Sequence, residues 1–282
     1  MSALAIRISD CAGFCWGVER ALEISYTAAE EAPAPVNTLG PLIHNPGVIA
    51  DLETRGVGVV SDAAEARSGT VILRSHGVPR DTKEALSRSG LAVIDATCPF
   101  VTSAQEKAAQ LKDNGYLVVI LGERDHPEVL GLRSYAGEDS LVVESPKDLP
   151  ATLPAKRIGV VVQTTQSQDR LSELVAHLAR RTRELLVHNT ICSATEQRQA
   201  AAIAMASEVD AVVVVGGRDS GNTRRLAELC AAQQERTYHV ETADEIDPAW
   251  FQGVKTVGIT AGASTPPEQI EAVATRLREI DP

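Results

Sequence analysis

Leu91 to Leu111, LAVIDATCPFVTSAQEKAAQL, is the stretch of sequence that most clearly indicates the fold. The apolar run from Leu91 to Ile94 is typical of a β-strand, and the apolar residues after Pro99 fall at helical spacing. Cys98 therefore stands where a strand passes into a helix. The free N–H groups and the dipole at the start of a helix stabilise a thiolate by roughly 0.3–1 kcal/mol.

The same order of strand, cysteine and helix is predicted at two other places. A strand from Ala3 to Ile8 comes before Cys15, and a helix from Trp16 to Glu30 follows it. A strand from Leu185 to Val187 comes before Cys192, and a helix from Ser193 to Ser207 follows. Three equivalent corners in one chain indicate a common role for the three cysteines.

The rest of the chain alternates short Val/Ile-rich runs with helical segments, which predicts an α/β fold with parallel-type sheets and crossover helices. The other predicted strands are Thr70–Leu73, Leu117–Leu121, Ile158–Val162, Ala211–Val215 and Thr256–Thr260. The predicted helices between them are Arg80–Arg88, Phe100–Asn114, Gln168–Arg181, Asn222–Gln233 and Pro267–Glu279. The cysteine spacing divides the chain into three similar small lobes: 1–98 with Cys15, 99–191 with Cys98 at its start, and 192–282 with Cys192 at its start.

Composition narrows the class of protein. The chain has 282 residues, 44% of them apolar and 23% charged, which is typical of an ordered globular protein. The net charge of −11 argues against a nucleic-acid surface, and no apolar run approaches the roughly 18 residues of a membrane span. The sequence thus predicts a cytoplasmic protein that does not bind a membrane, in which the five cysteines are thiols or metal ligands.

Polar side chains follow many of the predicted strands. His44, His76 and His126 each come after an apolar run, and ligands of α/β proteins gather at the carboxyl ends of strands. The loops at 163–167, 218–223 and 261–267 lead into helices and offer N–H groups and hydroxyls to an anion, although helix capping alone explains such residues about as well. Glu128 is the carboxylate nearest this set and would act as a general acid if burial raised its pKa.

Three thiolates held together need a cation, so the corners predict a metal centre. An iron–sulfur cluster or a zinc ion with three cysteine ligands keeps one position open for substrate. Cys11 is a weaker candidate for a fourth ligand, and Cys230 falls on the apolar face of a helix and is expected in the core. The spacing Cys192-x5-Arg198 also fits a cysteine phosphatase, but its loop has no glycine to turn the N–H groups inward.

Seven motifs together resemble one known family. In order they are GFCWGVERA (13–21), RSHGV (74–78), DATCP (95–99), HPEV (126–129), QTT (163–165), ICSAT (191–195) and TAGAS (260–264). They are similar to the motifs of the 4-hydroxy-3-methylbut-2-enyl diphosphate reductases, in the order of that family and over nearly the whole chain. The resemblance is therefore specific.

The resemblance implies a trefoil of three α/β lobes around a 4Fe-4S cluster held by Cys15, Cys98 and Cys192, with one iron open. It implies reductive removal of the substrate hydroxyl as water, giving isopentenyl and dimethylallyl diphosphates. Glu128 would deliver protons, assisted by Thr164 and His126. His126 and Thr164 are also implied for substrate binding, together with His44, His76, Ser220, Asn222 and Ser264. Gly221 belongs to the same set, but it stands where some members have serine and could offer only its N–H.

Electrons would come from a separate protein such as ferredoxin or flavodoxin, because the sequence has no flavin or nicotinamide motif. A function of another class is also compatible with three clustered cysteines: a non-catalytic iron–sulfur or zinc module that senses redox state. The polar loops at the strand ends argue against that alternative, since a sensor needs no anion pocket beside its metal.

Overall fold

The computed structural model describes residues 4–280. In chain order its strands are β1 (Ala5–Ile8), β2 (Val36–Leu39), β3 (Val57–Val60), β4 (Thr70–Leu73), β5 (Ala92–Asp95), β6 (Leu117–Leu121), β7 (Leu141–Val143), β8 (Arg157–Val162), β9 (Glu184–Val187), β10 (Ala211–Val215), β11 (Thr237–Val240) and β12 (Thr256–Ala261). Its α-helices are α1 (Trp16–Glu31), α2 (Pro46–Thr54), α3 (Arg80–Ser87), α4 (Pro99–Asp113), α5 (Pro127–Ala136), α6 (Gln168–Ala179), α7 (Ser193–Ala206), α8 (Gly221–Gln233) and α9 (Pro267–Arg278). Short 3-10 helices lie at Ala63–Glu65, Pro146–Asp148, Ala243–Glu245 and Pro248–Phe251.

Every predicted strand and helix has a counterpart, with ends that agree to within two residues. The expected strand from Ala3 begins at Ala5 in the structure, and Ala3 itself lies outside the described residues. Besides the helices α2 and α5, the sequence missed β2, β3, β7 and β11, which have only three or four residues each. Runs this short give too few positions for a period to emerge. Across residues 4–280, no helix has both the length and the apolar character needed to cross a bilayer.

The strands form three parallel sheets of four strands, so the predicted α/β class with three sheets is confirmed. Their orders are β1-β12-β10-β11, β3-β2-β4-β5 and β7-β6-β8-β9. The inner strands β10, β4 and β6 have almost no exposed residues, because helices cover both faces of a parallel sheet. The edge strands β1, β5 and β9 are largely half-buried or exposed.

The contacts between Cα atoms divide the chain into two compact units. One contains residues 19–43 and 49–192, and therefore the two sheets built from β2 to β9. In its second sheet, α4 and α5 pack on one face through Leu111 and Leu132, and α6 packs on the other face through Leu174. In its first sheet, Leu86 of α3 packs against Val71 and Leu73 of β4.

The other unit contains the described residues of Met1–Val18, together with His44–Val48 and Ser193–Pro282. Its sheet has α9 on one face and α7 with α8 on the other. Cys230 of α8 is fully buried between α7 and β10, as the sequence predicts. Burial raises the pKa of its thiol to about 12, so it is a core residue rather than a ligand.

The pairing of β1 corrects one assignment. The sequence places Ala5–Ile8 in the first lobe, whereas β1 pairs along its whole length with β12, from Ala5 beside Thr256 to Ile8 beside Ile259. Parallel pairing depends on the available strand edge and not on chain order, so the first strand completes the sheet built by the last three. The lobe boundaries at 98 and 192 stay predictions.

With β1 in this position, the three sheets have the same arrangement. Each consists of an edge strand, a second strand beside it and two further strands, and β1, β5 and β9 occupy the same edge position. Cys15, Cys98 and Cys192 follow these three strands. Each cysteine thus comes after an edge strand of its sheet, although the sequence interpretation put two of them at the start of a lobe.

Candidate functional site

Each of the three corner cysteines donates an equivalent backbone hydrogen bond. The N–H of Cys15 donates to the carbonyl of Ala263 at 3.2 Å, that of Cys98 to Ser75 at 2.9 Å, and that of Cys192 to Thr164 at 3.1 Å. The acceptors Ala263, Ser75 and Thr164 lie just beyond β12, β4 and β8, the strands that pair with β1, β5 and β9. An equivalent backbone hydrogen bond is therefore formed three times, once at each sheet.

Each acceptor lies in or next to a residue predicted to bind substrate or transfer protons. Ala263 precedes Ser264, Ser75 precedes His76, and Thr164 is itself one of the predicted residues. A loop that carries a candidate site residue therefore fixes each cysteine corner.

The corner cysteines are half-buried thiols, and none of them is in a disulfide. Cys98 is the N-cap residue of α4 with Pro99 at the first helical position, and Cys15 and Cys192 directly precede α1 and α7. A helix N-terminus favours the thiolate form that binds metals. Cys11 is also a half-buried thiol, but it lies in a turn after β1 and does not begin a helix.

Glu128 is buried, with only 1% of its surface exposed. Thr164 donates to it twice, from its N–H to Oε1 at 2.6 Å and from its hydroxyl to Oε2 at 2.9 Å. Burial raises the pKa of Glu128 to about 7, while the two bonds from Thr164 oppose that rise. A carboxyl group with a pKa near neutrality can both give and take a proton at physiological pH.

His126 caps the helix that carries Glu128. Its Nδ1 accepts a hydrogen bond from the N–H of Glu128 at 3.1 Å, and the residue is 8% exposed. Because Nδ1 is an acceptor, the proton of the neutral ring is on Nε2. The ring of His76 meets that of His126 edge to face, with centroids 5.4 Å apart. The structure therefore brings His76, His126, Glu128 and Thr164 together in one unit with Cys98 and Cys192.

In the other unit, a polar loop leads into α8. Ser220 is the N-cap residue and accepts a hydrogen bond from the N–H of Thr223 at 3.3 Å, so part of the capping explanation is correct. Gly221 and Asn222 are buried beside it. Asn222 is 4% exposed, and within residues 4–280 neither its Nδ2 nor its Oδ1 has a hydrogen-bond partner. Leaving both atoms of a buried amide unbonded is costly, which makes Asn222 a candidate ligand-binding residue.

Ser264 and His44 meet in the same unit. The Ser264 hydroxyl donates to the carbonyl of His44 at 3.2 Å, and Gly217 packs closely on that carbonyl, since a Cβ atom at Gly217 would lie 2.7 Å from the oxygen. One unit thus contains five of the predicted substrate-binding residues. Ser220, Gly221 and Asn222 follow β10, Ser264 follows β12, and His44 lies just before α2.

The structure gives two residues of the sequence motifs a supporting role that the sequence interpretation did not assign. Ser75 is 6% exposed and donates from its hydroxyl to the carbonyl of Leu42 at 2.8 Å, which holds the loop that accepts from Cys98. Gln163 is fully buried, and its Oε1 accepts from the N–H of Glu123 at 2.9 Å. Both are polar residues that come just after a strand, and this placement was the only sign of their role in the sequence.

The phosphatase spacing is not a phosphate-binding loop. The residues after Cys192 form helix α7 from Ser193, so their N–H groups do not curl around an anion. The Arg198 guanidinium instead donates to the carbonyls of Gly13 at 2.7 Å and Ala194 at 3.4 Å. This alternative is wrong because helix geometry points successive N–H groups along the axis.

Comparisons with known proteins agree with one another. The profile of the LytB protein family matches residues 6–278. A Geobacter metallireducens protein named 4-hydroxy-3-methylbut-2-enyl diphosphate reductase is 48% identical over 278 residues, which cover 99% of this chain and 98% of that protein. A relative of the same name from Aquifex aeolicus is 46% identical over 279 residues and covers 98% of this chain and 96% of its own length.

A solved structure described as (E)-4-hydroxy-3-methyl-but-2-enyl diphosphate reductase, the terminal enzyme of the non-mevalonate pathway, superposes with a TM-score of 0.71. It is 46% identical, and the match covers 98% of this chain and all of that one.

Proposed function

The chain belongs to the LytB protein family, and we propose that it catalyses the reaction for which its relatives are named, the reduction of 4-hydroxy-3-methylbut-2-enyl diphosphate. It is an oxidoreductase of the non-mevalonate pathway to isoprenoid precursors. In the reaction the allylic C–O bond breaks, the oxygen leaves as water with one added proton, and the carbon skeleton takes up the other proton and two electrons. The products are isopentenyl and dimethylallyl diphosphates.

The cofactor of this family is an iron–sulfur group, and we propose a 4Fe-4S cluster bound by Cys15, Cys98 and Cys192. These three side chains suit a cluster, because all are half-buried thiols that directly precede a helix. Their backbone N–H groups also make equivalent hydrogen bonds. The fully buried thiol of Cys230, with its pKa raised to about 12, is unsuited to the same role. When bound, such a cluster supplies electrons and an open iron that polarises the substrate hydroxyl.

The residue that carries the proposal is Thr164. Its carbonyl accepts from the N–H of Cys192, and its own N–H and hydroxyl donate to Glu128. One residue therefore links a cluster ligand to a buried carboxyl group whose pKa of about 7 suits proton delivery. We assign Glu128 as the proton donor. Thr164 holds both carboxylate oxygens, and His126 fixes the helix turn that carries Glu128.

For the diphosphate we assign His44, His76, Ser220, Gly221, Asn222 and Ser264. Asn222 supports this assignment most directly, since its buried amide offers a donor and an acceptor that no residue among 4–280 uses. The N-terminus of α8 adds backbone N–H groups, which bind phosphate oxygens well. Gly221 contributes only its N–H, so one hydroxyl contact implied by the family resemblance is absent from this chain.

The reaction also needs a source of two electrons. We propose an external protein such as ferredoxin or flavodoxin, since the sequence contains no flavin or nicotinamide motif. A cytoplasmic location is likewise a prediction from the sequence. The non-catalytic sensor is not favoured, because the relatives that match along nearly the whole chain are named as enzymes.

The decisive experiment is anaerobic purification followed by iron analysis and turnover of the diphosphate substrate with a chemical reductant. We expect bound iron and reductive release of water from the wild type. Cys98→Ser should lose the cluster and turnover, whereas Cys11→Ser, another half-buried thiol, should keep both. Iron-free wild-type protein that turned over would refute the cluster, and iron loss in Cys11→Ser would refute a three-cysteine site. Bound iron without turnover would favour the sensor.

A further inference from the structure

A buried arginine lies at the Cys15 corner. Arg198 is on α7, six residues after Cys192, and is 4% exposed. Its guanidinium donates to the carbonyl of Gly13, two residues before Cys15, at 2.7 Å. The same side chain reaches the carbonyl of Ala194 in the first turn of α7 at 3.4 Å. One guanidinium group therefore contacts both the loop before Cys15 and the first turn after Cys192.

The peptide that accepts this bond is itself closely constrained. Gly13 has a φ of +102°, a conformation that favours glycine. A Cβ atom there would come within 3.3 Å of Ile270 and 3.5 Å of the carbonyl of Thr265. Arg198 therefore bonds to a turn whose backbone conformation favours glycine, directly before a proposed cluster ligand.

A second arginine repeats the arrangement at another corner. Arg20 lies on α1, five residues after Cys15, and its guanidinium donates to the carbonyl of Thr97 at 3.2 Å. Thr97 directly precedes Cys98. Each arginine thus lies on the helix that follows one cysteine and bonds to the backbone just before another.

We propose that Arg198 and Arg20 are positioning residues for the cluster, which hold the Cys15 and Cys98 corners in place and supply fixed positive charge beside them. The proposal rests on the assignment of the three cysteines as cluster ligands. Arginine suits this role because it stays charged at every relevant pH and its planar fork reaches several carbonyl oxygens.

The charge should have an electrostatic effect as well as a structural one. Three thiolate ligands make the site negative, and reduction adds a further electron. A nearby cation in a poorly screened interior favours the reduced state, so its removal should shift the reduction potential of the cluster to a more negative value. A purely structural arginine would change iron retention and leave that potential unaltered.

The test compares anaerobically prepared wild type, Arg198→Met, Arg198→Lys and Arg20→Met. Iron per chain, the rate of iron release to a chelator and the midpoint potential from an EPR-monitored titration are measured. We expect iron release about 10-fold faster in both Met variants, as for other residues that support metal ligands, with a more negative potential. Arg198→Lys keeps the charge but loses the fork, so it should release iron faster at a nearly unchanged potential.

Arg225→Met is the matched control. Arg225 is another buried arginine of the same unit: it is 6% exposed, lies on α8 and pairs with Glu228. Its replacement should leave the potential and the iron release rate unchanged.

Wild-type levels of iron retention and potential in folded Arg198→Met and Arg20→Met would overturn this inference alone. If Arg198→Met fails to fold, Arg198→Lys and Arg20→Met decide, and wild-type iron release in both would again overturn it. Wild-type protein that binds no iron would instead refute the proposed function, and the inference with it.

Discussion

Thr164 holds both oxygens of the Glu128 carboxylate, through its N–H at 2.6 Å and its hydroxyl at 2.9 Å. Glu128 is almost fully buried, and this burial raises its pKa to about 7 against the two bonds that lower it. Two opposing effects therefore act on the pKa of Glu128: burial favours the protonated acid, and Thr164 favours the carboxylate. The balance lies near neutral pH, where a proton donor is most effective.

Replacement of Glu128 by Gln should stop proton delivery without loss of the cluster. Glutamine has nearly the same volume but no proton to give, so we expect turnover to fall by about 100-fold or more. Turnover is measured with a chemical reductant, and iron content is measured on the same sample. Glu173→Gln, at an exposed position of α6, is the control and should behave as wild type. Full turnover by Glu128→Gln would remove Glu128 from the mechanism.

The pH profile should report the Glu128–Thr164 pair. If the protonated acid is required, kcat/KM falls as pH rises through about 7. Thr164→Val removes a hydrogen bond to the charged form, worth about 1.5–3 kcal/mol, so the pKa rises and the alkaline limb moves up by roughly one to two pH units. Thr164→Ser retains the hydroxyl and should keep the wild-type limb. An unmoved limb in Thr164→Val would mean that another group controls it.

Stability should also depend on pH through Glu128. The folded pKa of about 7 lies above the ordinary value of 4.5, so between these values the native state holds a proton that the unfolded chain has lost. Its stabilising effect is complete below pH 4.5 and is lost as pH rises through about 7. The shift corresponds to about 3 kcal/mol at most.

Glu128→Gln should therefore gain stability relative to wild type as pH rises from 6 to 8. Denaturant unfolding of the anaerobic protein at several pH values measures this difference. A constant difference across that range would contradict a raised pKa at Glu128.

Asn222→Ala should weaken diphosphate binding with little effect on the fold. The amide makes no hydrogen bond to other residues among 4–280, so its removal leaves no protein group unpaired. Loss of its bonds to a charged ligand costs about 1.5–3 kcal/mol, a rise in KM of roughly 10-fold or more. Inorganic diphosphate should raise the Tm of wild type more than that of Asn222→Ala. Asn114→Ala, at the exposed end of α4, is the control. Equal Tm shifts in all three proteins would place the diphosphate elsewhere.

Local patterns were sufficient for most of the fold. The runs at Thr70–Leu73, Leu117–Leu121 and Ala211–Val215 are strands with the predicted ends, because central strands of parallel sheets are buried on both faces and consist almost entirely of apolar residues. β2 was not predicted, because Asn37 and Thr38 interrupt its apolar run. The candidate site residues could be selected from the sequence in the same way, because a polar residue directly after a buried strand is easily recognised.

By itself, the sequence determined that three cysteines stand between strands and helices, and which polar residues end the neighbouring strands. Only the tertiary structure decided that β1 completes the sheet of β10 to β12, that the three cysteine N–H groups make equivalent bonds, and that Thr164 links Cys192 to Glu128. The physical reason is range. Strand and helix patterns act over a few neighbouring residues, whereas strand pairing, burial and a raised pKa depend on groups far apart in the chain.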